Sequence, residues 1–309
     1  MLNFYKTMEN KLVQLPKEEE GCWVRVTRPT QDEIEYLVNR LQLDSGFVSA
    51  SLDEEEASRM EKEDDQTFVV VDVPYRVEDE ETTITYITIP LGIIITPKYF
   101  VTISSSETAV IDEIVDGTVR NVETRFRTRF LLIILLRIAQ RFLLYLKQIE
   151  RLSSRMESQF TNSTKNEALI QLLGLEKSLV YFSTSLRANE TTLKKLSRGR
   201  TLTLYEEDED LLQDTLIEFN QAIEMSGIYS NILSGTMDAV ASIINNNLNA
   251  VMKVLTSVTI LMTIPTMVFS YYGMNVSGLQ IPVWWFPTLI SVVTALVALF
   301  ILMKFKMFK

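Results

Sequence analysis

The chain has 309 residues and a formal net charge of −10 at pH 7, with a single cysteine and no histidine. One thiol cannot form a disulfide framework. The missing histidines exclude Ser-His-Asp and Cys-His catalysis and zinc sites with several nitrogen or sulfur ligands. Any bound metal must therefore have oxygen ligands, which suits a hard cation such as magnesium. The negative net charge argues against a nucleic-acid partner. The sequence contains no GxGxxG or GxxxxGK[ST] motif, so it does not indicate a nucleotide site, an organic cofactor or an enzyme.

Residues 1–118 are predicted to form a cytoplasmic α/β domain. The opening segment "MLNFYKTMENKLVQLPKEEEG" has no apolar core of signal-peptide length, so we expect the chain up to about residue 250 to stay in the cytoplasm. The segments "CWVRVTRPT" and "TFVVVDVPY" have strand composition, and "TTITYITIPLGIIITPKYFVTISS" predicts two or three more strands. Between them, "TQDEIEYLVNRLQL" starts with Thr30 and has Glu33 at capping-box spacing, which predicts a helix.

Residues 119–250 are predicted to form long cytoplasmic helices. This region has no proline and few glycines, and apolar residues recur at helical spacing. The segment 129–146, "RFLLIILLRIAQRFLLYL", is apolar enough to suggest a membrane span, but Arg129, Arg137 and Arg141 interrupt it. Because arginine inside a bilayer costs several kcal/mol, we interpret this segment as a buried helix of the cytoplasmic part.

Two uncharged segments near the C-terminus, 254–272 and 283–303, are long enough to cross a bilayer, and they define a transmembrane domain over 251–309. Lys253 precedes the first segment, and Lys304, Lys306 and Lys309 follow the second. The positive-inside rule therefore places both outer ends in the cytoplasm and the connection 273–282 outside. Aromatic residues at the membrane interface bracket that connection, namely Tyr271, Tyr272, Trp284 and Trp285.

A polar stripe runs along the helix that leads into and through the first crossing. At 100° per residue, its members fall within an arc of roughly 100°: they are Asp238, Asn245, Asn249, Met252, Thr256, Thr259, Thr263, Thr266 and Ser270. Small polar residues in membranes also mark contacts between helices, so the stripe alone leaves packing and a pore as alternatives. Its continuation to Asn249, Asn245 and Asp238, before the crossing, favours a pore shared by several copies.

The stretch "NAVMKVLTSVTILMTIPTMVFSYYGMN", 249–275, resembles the signature of the CorA family of magnesium channels. The match includes Gly-Met-Asn at residues 273–275, a preceding tyrosine, the upstream Pro265, the "VMKVLT" segment, a second crossing and a tail with lysines. Many relatives carry an acidic residue in the outer loop, whereas this chain has the neutral sequence "VSGLQIP".

The resemblance implies a fold and an assembly. We expect an α+β cytoplasmic domain of the αβα type, long stalk helices and a two-helix transmembrane region, assembled as a homopentameric funnel in a plasma or inner membrane. The expected partners are further copies of the chain, the lipid bilayer and divalent cations. The implied function is inward magnesium flux down the electrochemical gradient. Transporters of zinc, cobalt or nickel with the same fold, and a membrane-anchored sensor that transports nothing, are the alternatives.

The resemblance also implies roles for individual residues. Gly273, Met274 and Asn275 correspond to the selectivity filter, and five asparagine oxygens would bind a hydrated cation weakly enough to release it. Asp238, Asn249, Met252, Leu255 and Thr266 match pore positions of the family. The family senses cytoplasmic magnesium at carboxylate pairs between subunits, and the matching acids here are Asp53 and Asp214. Mg²⁺ would thus be both transported and regulatory.

Overall fold

This computed structural model describes residues 1–9, 11–78, 84–159, 165–198, 202, 204–274, 283, 285–305 and 307. The contacts within the chain divide it into two compact units, Met1–Gly235 and Thr236–Lys309. Helix α6 (Glu206–Tyr272) begins in the first unit and ends in the second.

The first unit contains a seven-stranded sheet with the order β2-β1-β3-β7-β6-β5-β4. Strands β3 and β7 pair in parallel, and the other neighbours are antiparallel. Four strands lie in the segments predicted from composition: they are β3, β5 and, between residues 82 and 105, β6 and β7. Three further strands, β1, β2 and β4, were not predicted. The bounds are β1 Leu2–Met8, β2 Lys11–Leu15, β3 Trp23–Thr27, β4 Arg59–Glu63, β5 Gln66–Glu78, β6 Ile84–Ile95 and β7 Phe100–Ser104.

Helices cover both faces of this sheet, which confirms the αβα prediction. One face packs on α2 and a short π-helix through a core that includes Val24, Leu37 and Phe47. The other face packs on α4 and α5, where the rings of Trp23 and Phe130 lie 5.2 Å apart. Adjacent strand residues thus face opposite layers, as the period of a strand requires. The helices of this unit are α1 Gln31–Glu35, the π-helix Tyr36–Arg40, α2 Ser45–Ala50, α3 Ala109–Val115, α4 Arg127–Gln159, α5 Lys165–Ser197 and the first part of α6.

The predicted capping box at the start of α1 is confirmed. The Thr30 hydroxyl accepts a hydrogen bond from the Glu33 amide at 3.3 Å, and the Thr30 amide donates to the Glu33 carboxylate at 2.9 Å. The predicted single helix is not uniform, because from Tyr36 the chain winds as a π-helix that ends with Leu41 donating to the Tyr36 carbonyl.

The segment 129–146 lies within α4 and is largely buried in protein, as predicted. Its three arginines all meet carboxylates of the first unit. Arg137 and Arg141 both pair with Glu113 of α3, the former at 3.0 Å, and Arg129 lies 3.5 Å from Glu207. Paired arginines and a packed apolar face are typical of a helix folded against protein, which explains the hydropathy of this segment.

The second unit contains the C-terminal part of α6 and the helix α7 (Phe286–Lys304). Both helices are long and apolar enough to cross a membrane. The predicted span 254–272 ends where α6 ends, at Tyr272, whereas α7 begins three residues later than the predicted 283. Pro287 lies in the first turn of α7, where its missing N–H leaves no helical hydrogen bond unmade.

Candidate ion pathway

Each of the two apolar helices of the second unit has one face that is less exposed to solvent than the rest of the helix. On α6, exposure is reduced along one face, and Ser257 is fully buried. On α7 the least exposed residues also recur at helical spacing, from Phe286 through Ser291 to Leu302. The Tyr272 and Phe286 rings, 6.3 Å apart, contact each other where the helices approach the connection. The less exposed positions on α6 are Ser257, Leu261, Ile264, Pro265, Val268 and Tyr272.

The polar stripe lies on the opposite side of α6. At 100° per residue, the centre of the threonine positions and the centre of the less exposed face are roughly 180° apart. The stripe residues are exposed within the chain, so α7 does not cover them. They are Asp238, Asn245, Asn249, Met252, Thr256, Thr259, Thr263, Thr266 and Ser270, and Leu255 at the edge of the stripe is exposed as well. Within one chain, nothing therefore supports the alternative that the stripe packs against a neighbouring helix, because the less exposed residues of α6 lie on its other side.

The threonine hydroxyls of the stripe have a defined orientation. Thr259 donates to the Leu255 carbonyl at 2.8 Å, Thr263 to the Thr259 carbonyl at 2.7 Å, and Thr266 to the Met262 carbonyl at 3.1 Å. Since each hydroxyl proton is bound to the preceding turn, the free oxygen lone pairs remain as acceptors. Such a surface accepts hydrogen bonds from water molecules whose protons point outward, as those around a cation do.

Two apolar side chains interrupt the stripe before the threonines. Met252 and Leu255 are both exposed, and they lie close to Lys253, the last charged residue before the apolar span. On the other side of them, toward the start of α6, Asn249, Asn245 and Asp238 continue the same face. Along α6 the stripe thus changes from carboxylate and amide side chains, through the apolar Met252 and Leu255, to hydroxyl side chains.

The tripeptide 273–275 follows directly on α6. The Gly273 amide donates to the Phe269 carbonyl at 2.9 Å, so the helical hydrogen bonding extends to this residue. A Cβ atom at Gly273 would lie 3.1 Å from the same carbonyl oxygen, which makes glycine the residue that fits without a shift. Met274 is exposed. Asn275, Trp284, Lys306 and Lys309 lie outside the described residues.

The two acids predicted to sense magnesium are both exposed residues of the first unit. Asp53 follows α2, and its carboxylate accepts a hydrogen bond from the Glu55 amide at 3.0 Å. Asp214 lies on α6. Among the described residues, no hydrogen bond or ion pair joins these carboxylates, and no group of three or more acidic or thiol ligands could hold a metal ion. Within one chain the structure does not bring the pair together, so a site between subunits stays a prediction.

Comparison with known proteins decides the family. The family model for CorA, described as "CorA-like Mg2+ transporter protein", matches residues 18–307. The chain belongs to the CorA-like family. The cobalt/magnesium transport protein CorA of Methanocaldococcus jannaschii is 29% identical over 279 residues, which are 89% of this chain and 86% of the relative.

Solved structures show the same fold. The complete structure of the CorA magnesium transporter from Methanocaldococcus jannaschii matches with a TM-score of 0.79 at 25% identity, covering 99% of this chain and 96% of that chain. The cytoplasmic domain of ZntB from Vibrio parahaemolyticus matches with a TM-score of 0.63 at 11% identity, covering 79% of this chain and 98% of that chain. The fold predicted for the single chain is confirmed, and this CorA-like chain is a member of a family of ion transporters for magnesium and cobalt.

Proposed function

We propose that this chain forms a magnesium channel as a homopentamer, with the stripe on α6 lining a shared aqueous pore. The observation that carries the proposal is that a polar face, interrupted by Met252 and Leu255, points away from the only other described helix that is long and apolar enough to cross a membrane. A single helix cannot enclose a pore, and so several copies must surround one axis for these side chains to meet water. The match to a complete CorA magnesium transporter supports magnesium as the transported ion.

The channel lies in a plasma or inner membrane with both termini in the cytoplasm. Lys253 before the first span and Lys304 at the end of α7 support this orientation through the positive-inside rule. A membrane potential that is negative inside contributes about 2.3 kcal/mol per elementary charge per 100 mV. A divalent ion therefore flows inward without a site for ATP hydrolysis.

The permeating ion keeps most of its water. Magnesium releases its inner-shell water reluctantly, and the threonine oxygens offer acceptors that hydrogen-bond such water without replacing it. Asn275 selects the ion at the outer mouth in the same manner, next to Gly273 and the exposed Met274. A neutral ring holds a divalent ion less tightly than a ring of carboxylates and lets it move on.

Gating combines an apolar constriction with a cytoplasmic sensor. Met252 and Leu255 close the pore by excluding water when they approach their copies. Mg²⁺ bound between Asp53 of one subunit and Asp214 of the next holds the closed state, and its loss lets the carboxylates repel each other. Inhibition of uptake by internal Mg²⁺ should weaken in the double variant Asp53→Asn/Asp214→Asn and persist in the control Asp65→Asn, an exposed acid elsewhere. Unchanged inhibition in the double variant would refute this pairing.

Cobalt is a second candidate cargo, because the curated relative is named a cobalt/magnesium transport protein. Uptake into proteoliposomes, measured for Mg²⁺, Co²⁺, Ni²⁺ and Zn²⁺ with the same preparation, distinguishes these cargoes. A chain that is only a membrane-anchored sensor would transport none of them.

The pore itself is tested with matched threonine variants. Thr259 and Thr294 are both exposed, and each donates to the carbonyl four residues earlier, but Thr259 lies on the stripe and Thr294 lies on α7. Thr259→Leu should abolish most Mg²⁺ uptake, as should Asn275→Ala, whereas Thr294→Leu should retain it. Equal uptake by Thr259→Leu and Thr294→Leu would rule out the stripe as the pathway.

A further inference from the structure

All charged residues after Asp238 are lysines. Residues 239–309 contain four of them, Lys253, Lys304, Lys306 and Lys309, and no acidic residue. Since the whole chain has a net charge of −10, residues 1–238 carry −14 and residues 239–309 carry +4. The positive charge is thus confined to the part of the chain that contains the two apolar helices, and its counter-ions must come from outside that part.

Lys253 on α6 and Lys304 on α7 lie at the same end of the two apolar helices. At 1.5 Å per residue, Lys253 is about 28 Å along α6 from Tyr272, and Lys304 is about 27 Å along α7 from Phe286. The rings of Tyr272 and Phe286 contact each other at the opposite end, 6.3 Å apart. Because the hydrocarbon core of a bilayer is about 30 Å thick, both lysines reach the headgroups of one leaflet when the helices cross it.

Neither ammonium group has a partner in the chain. Lys253 and Lys304 are both exposed, and their side chains form no hydrogen bond or ion pair within the described part of the chain. The last acidic residue, Asp238, lies about 22 Å before Lys253 on the same helix. This distance exceeds the screening length of about 8 Å at physiological salt, so Asp238 does not neutralise Lys253. Both lysines are therefore free to bind an external anion.

Apolar surface adjoins these lysines. Met303 and Phe305, on either side of Lys304, are 62% and 74% exposed. The Phe305 amide donates to the Ile301 carbonyl at 3.0 Å, which fixes the aromatic residue at the end of α7. Aromatic rings are typical of the membrane interface, where the apolar stem of a lysine follows the acyl chains and its ammonium group reaches the headgroups. Apolar surface next to unpaired cations suits a lipid with an anionic headgroup better than a free phosphate ion.

We propose that the ends of α6 and α7 at Lys253 and Lys304 bind an anionic phospholipid of the surrounding bilayer, such as phosphatidylglycerol. The two ammonium groups bind the headgroup phosphate, and the apolar residues beside Lys304 contact the acyl chains. Each lysine near an anionic membrane surface strengthens such binding about fivefold. The inference rests on the proposed placement of both helices in a membrane, but it does not depend on the pore.

The test is electron paramagnetic resonance of the full-length protein in phosphatidylcholine vesicles that contain spin-labelled phosphatidylglycerol or spin-labelled phosphatidylcholine. The spectra separate lipids in contact with the protein from free lipids, so the two labels together measure the preference for the anionic headgroup. We expect the wild type to prefer phosphatidylglycerol. The double variant Lys253→Gln/Lys304→Gln should reduce this preference by about twofold or more, since Lys306 and Lys309 remain.

Two further variants are the controls. Lys253→Arg/Lys304→Arg keeps both charges and should keep the preference for phosphatidylglycerol. Lys147→Gln removes an exposed lysine of α4 in the first unit and should leave the preference unchanged. Because Lys253 and Lys304 are exposed and have no described partner, their glutamine variant should also keep the wild-type melting temperature. A lower preference at an unchanged melting temperature then reports the loss of charge.

Three results would overturn the proposal, each for a different reason. An equal preference in the wild type and in the glutamine double variant would exclude Lys253 and Lys304 as the site. A wild type without any preference would exclude anionic lipid as the partner and leave the lysines to an acidic protein surface. No protein-bound lipid signal with either label would contradict the membrane crossing itself, so failure of the lipid site and failure of the membrane placement are distinguishable.

Discussion

The side-chain amide of Asn189 on α5 binds both main-chain polar groups of Asp72 on β5. Its Oδ1 accepts from the Asp72 N–H at 2.9 Å, and its Nδ2 donates to the Asp72 carbonyl at 2.8 Å. Strand β4 pairs with β5 only as far as Arg59 and Val70, two residues before Asp72. Asn189 therefore takes the place of a β4 residue, and it attaches α5 to the edge of the sheet through hydrogen bonds.

Replacing Asn189 should destabilise the first unit strongly. Asn189 is fully buried, and it also accepts a hydrogen bond from the Ser58 hydroxyl at 2.8 Å. Asn189→Ala leaves these partners without hydrogen bonds, which should cost about 2–4 kcal/mol. Urea unfolding of the full-length protein in detergent measures the loss, with Thr191→Ala on the exposed face of α5 as the control. A loss no larger than that of the control would contradict the attachment.

The carboxyl group of Asp72 should make stability depend on pH. Burial raises its pKa above the ordinary value, and the neighbouring hydroxyl groups of Ser185 and Ser58 oppose this rise in pKa. Between the ordinary pKa and the raised one, the folded state holds a proton that the unfolded state has released. The contribution of Asp72 to stability is therefore greatest at low pH and falls as pH rises through this window.

The variant Asp72→Asn removes that titration and keeps the shape of the side chain. We expect it to be at least as stable as the wild type at neutral pH, and we expect its unfolding free energy to vary less as the pH rises above about 4, the ordinary pKa of an aspartate. The urea concentrations at the midpoint of unfolding, measured for the variant and the wild type at several pH values, provide the comparison. A variant that is less stable than the wild type at neutral pH would show that the interactions of the folded carboxylate outweigh the cost of its burial.

Gly92 on β6 should tolerate no side chain. A Cβ atom there would collide with the side chain of Ser51, at the end of α2, and would lie 3.1 Å from its Cα. Gly92→Ala should therefore destabilise the protein by about 1–3 kcal/mol, the usual effect of overpacking. Gly227→Ala on α6 is the matched control, because nothing lies within 4 Å of its added Cβ. Equal melting temperatures for the two variants would contradict the close approach of α2 and β6.

The sequence predicted those helices and strands that are determined by patterns among a few neighbouring residues. Thr30 and Glu33 form a capping box through contacts three residues apart, and the density of β-branched residues identified β5 and β6. The strands β1, β2 and β4 were not found because "LNFYKTM", "KLVQL" and "RMEKE" mix polar and charged residues with few β-branched ones. Their pairing depends on neighbours in the sheet.

Contacts between distant residues could not be read from the sequence. Asn189 and Asp72 are 117 residues apart, and neither residue type indicates the other. The periodicity of α6 identified the stripe but not which face α7 covers, since Ser257 looks as suitable for a pore as Thr256 does. The acidic run 206–210 resembles a solvated face in the sequence, yet Asp208 within it is buried.

The apolar interruption of the stripe should act as the gate. Leu255→Asn places an amide at this position and should let water enter at lower cost, so that Mg²⁺ uptake continues at internal Mg²⁺ concentrations that stop the wild type. Val254→Asn, one residue earlier and off the stripe, is the control. Fluorescent Mg²⁺ indicators in proteoliposomes give the rates. Normal inhibition in the Leu255→Asn channel would argue against a hydrophobic gate here.

The accessibility of Thr263 to water tests the account most directly. The wild-type chain has one cysteine, Cys22, which is fully buried, and burial raises the pKa of its thiol, so background labelling should be slow. In membranes, a water-soluble, membrane-impermeant thiol reagent should label Thr263→Cys and block Mg²⁺ uptake, while Thr294→Cys on α7 should neither react nor lose uptake. If Thr263→Cys reacts only with a lipid-soluble reagent, as a lipid-facing position would, no aqueous conduit runs along this face of α6.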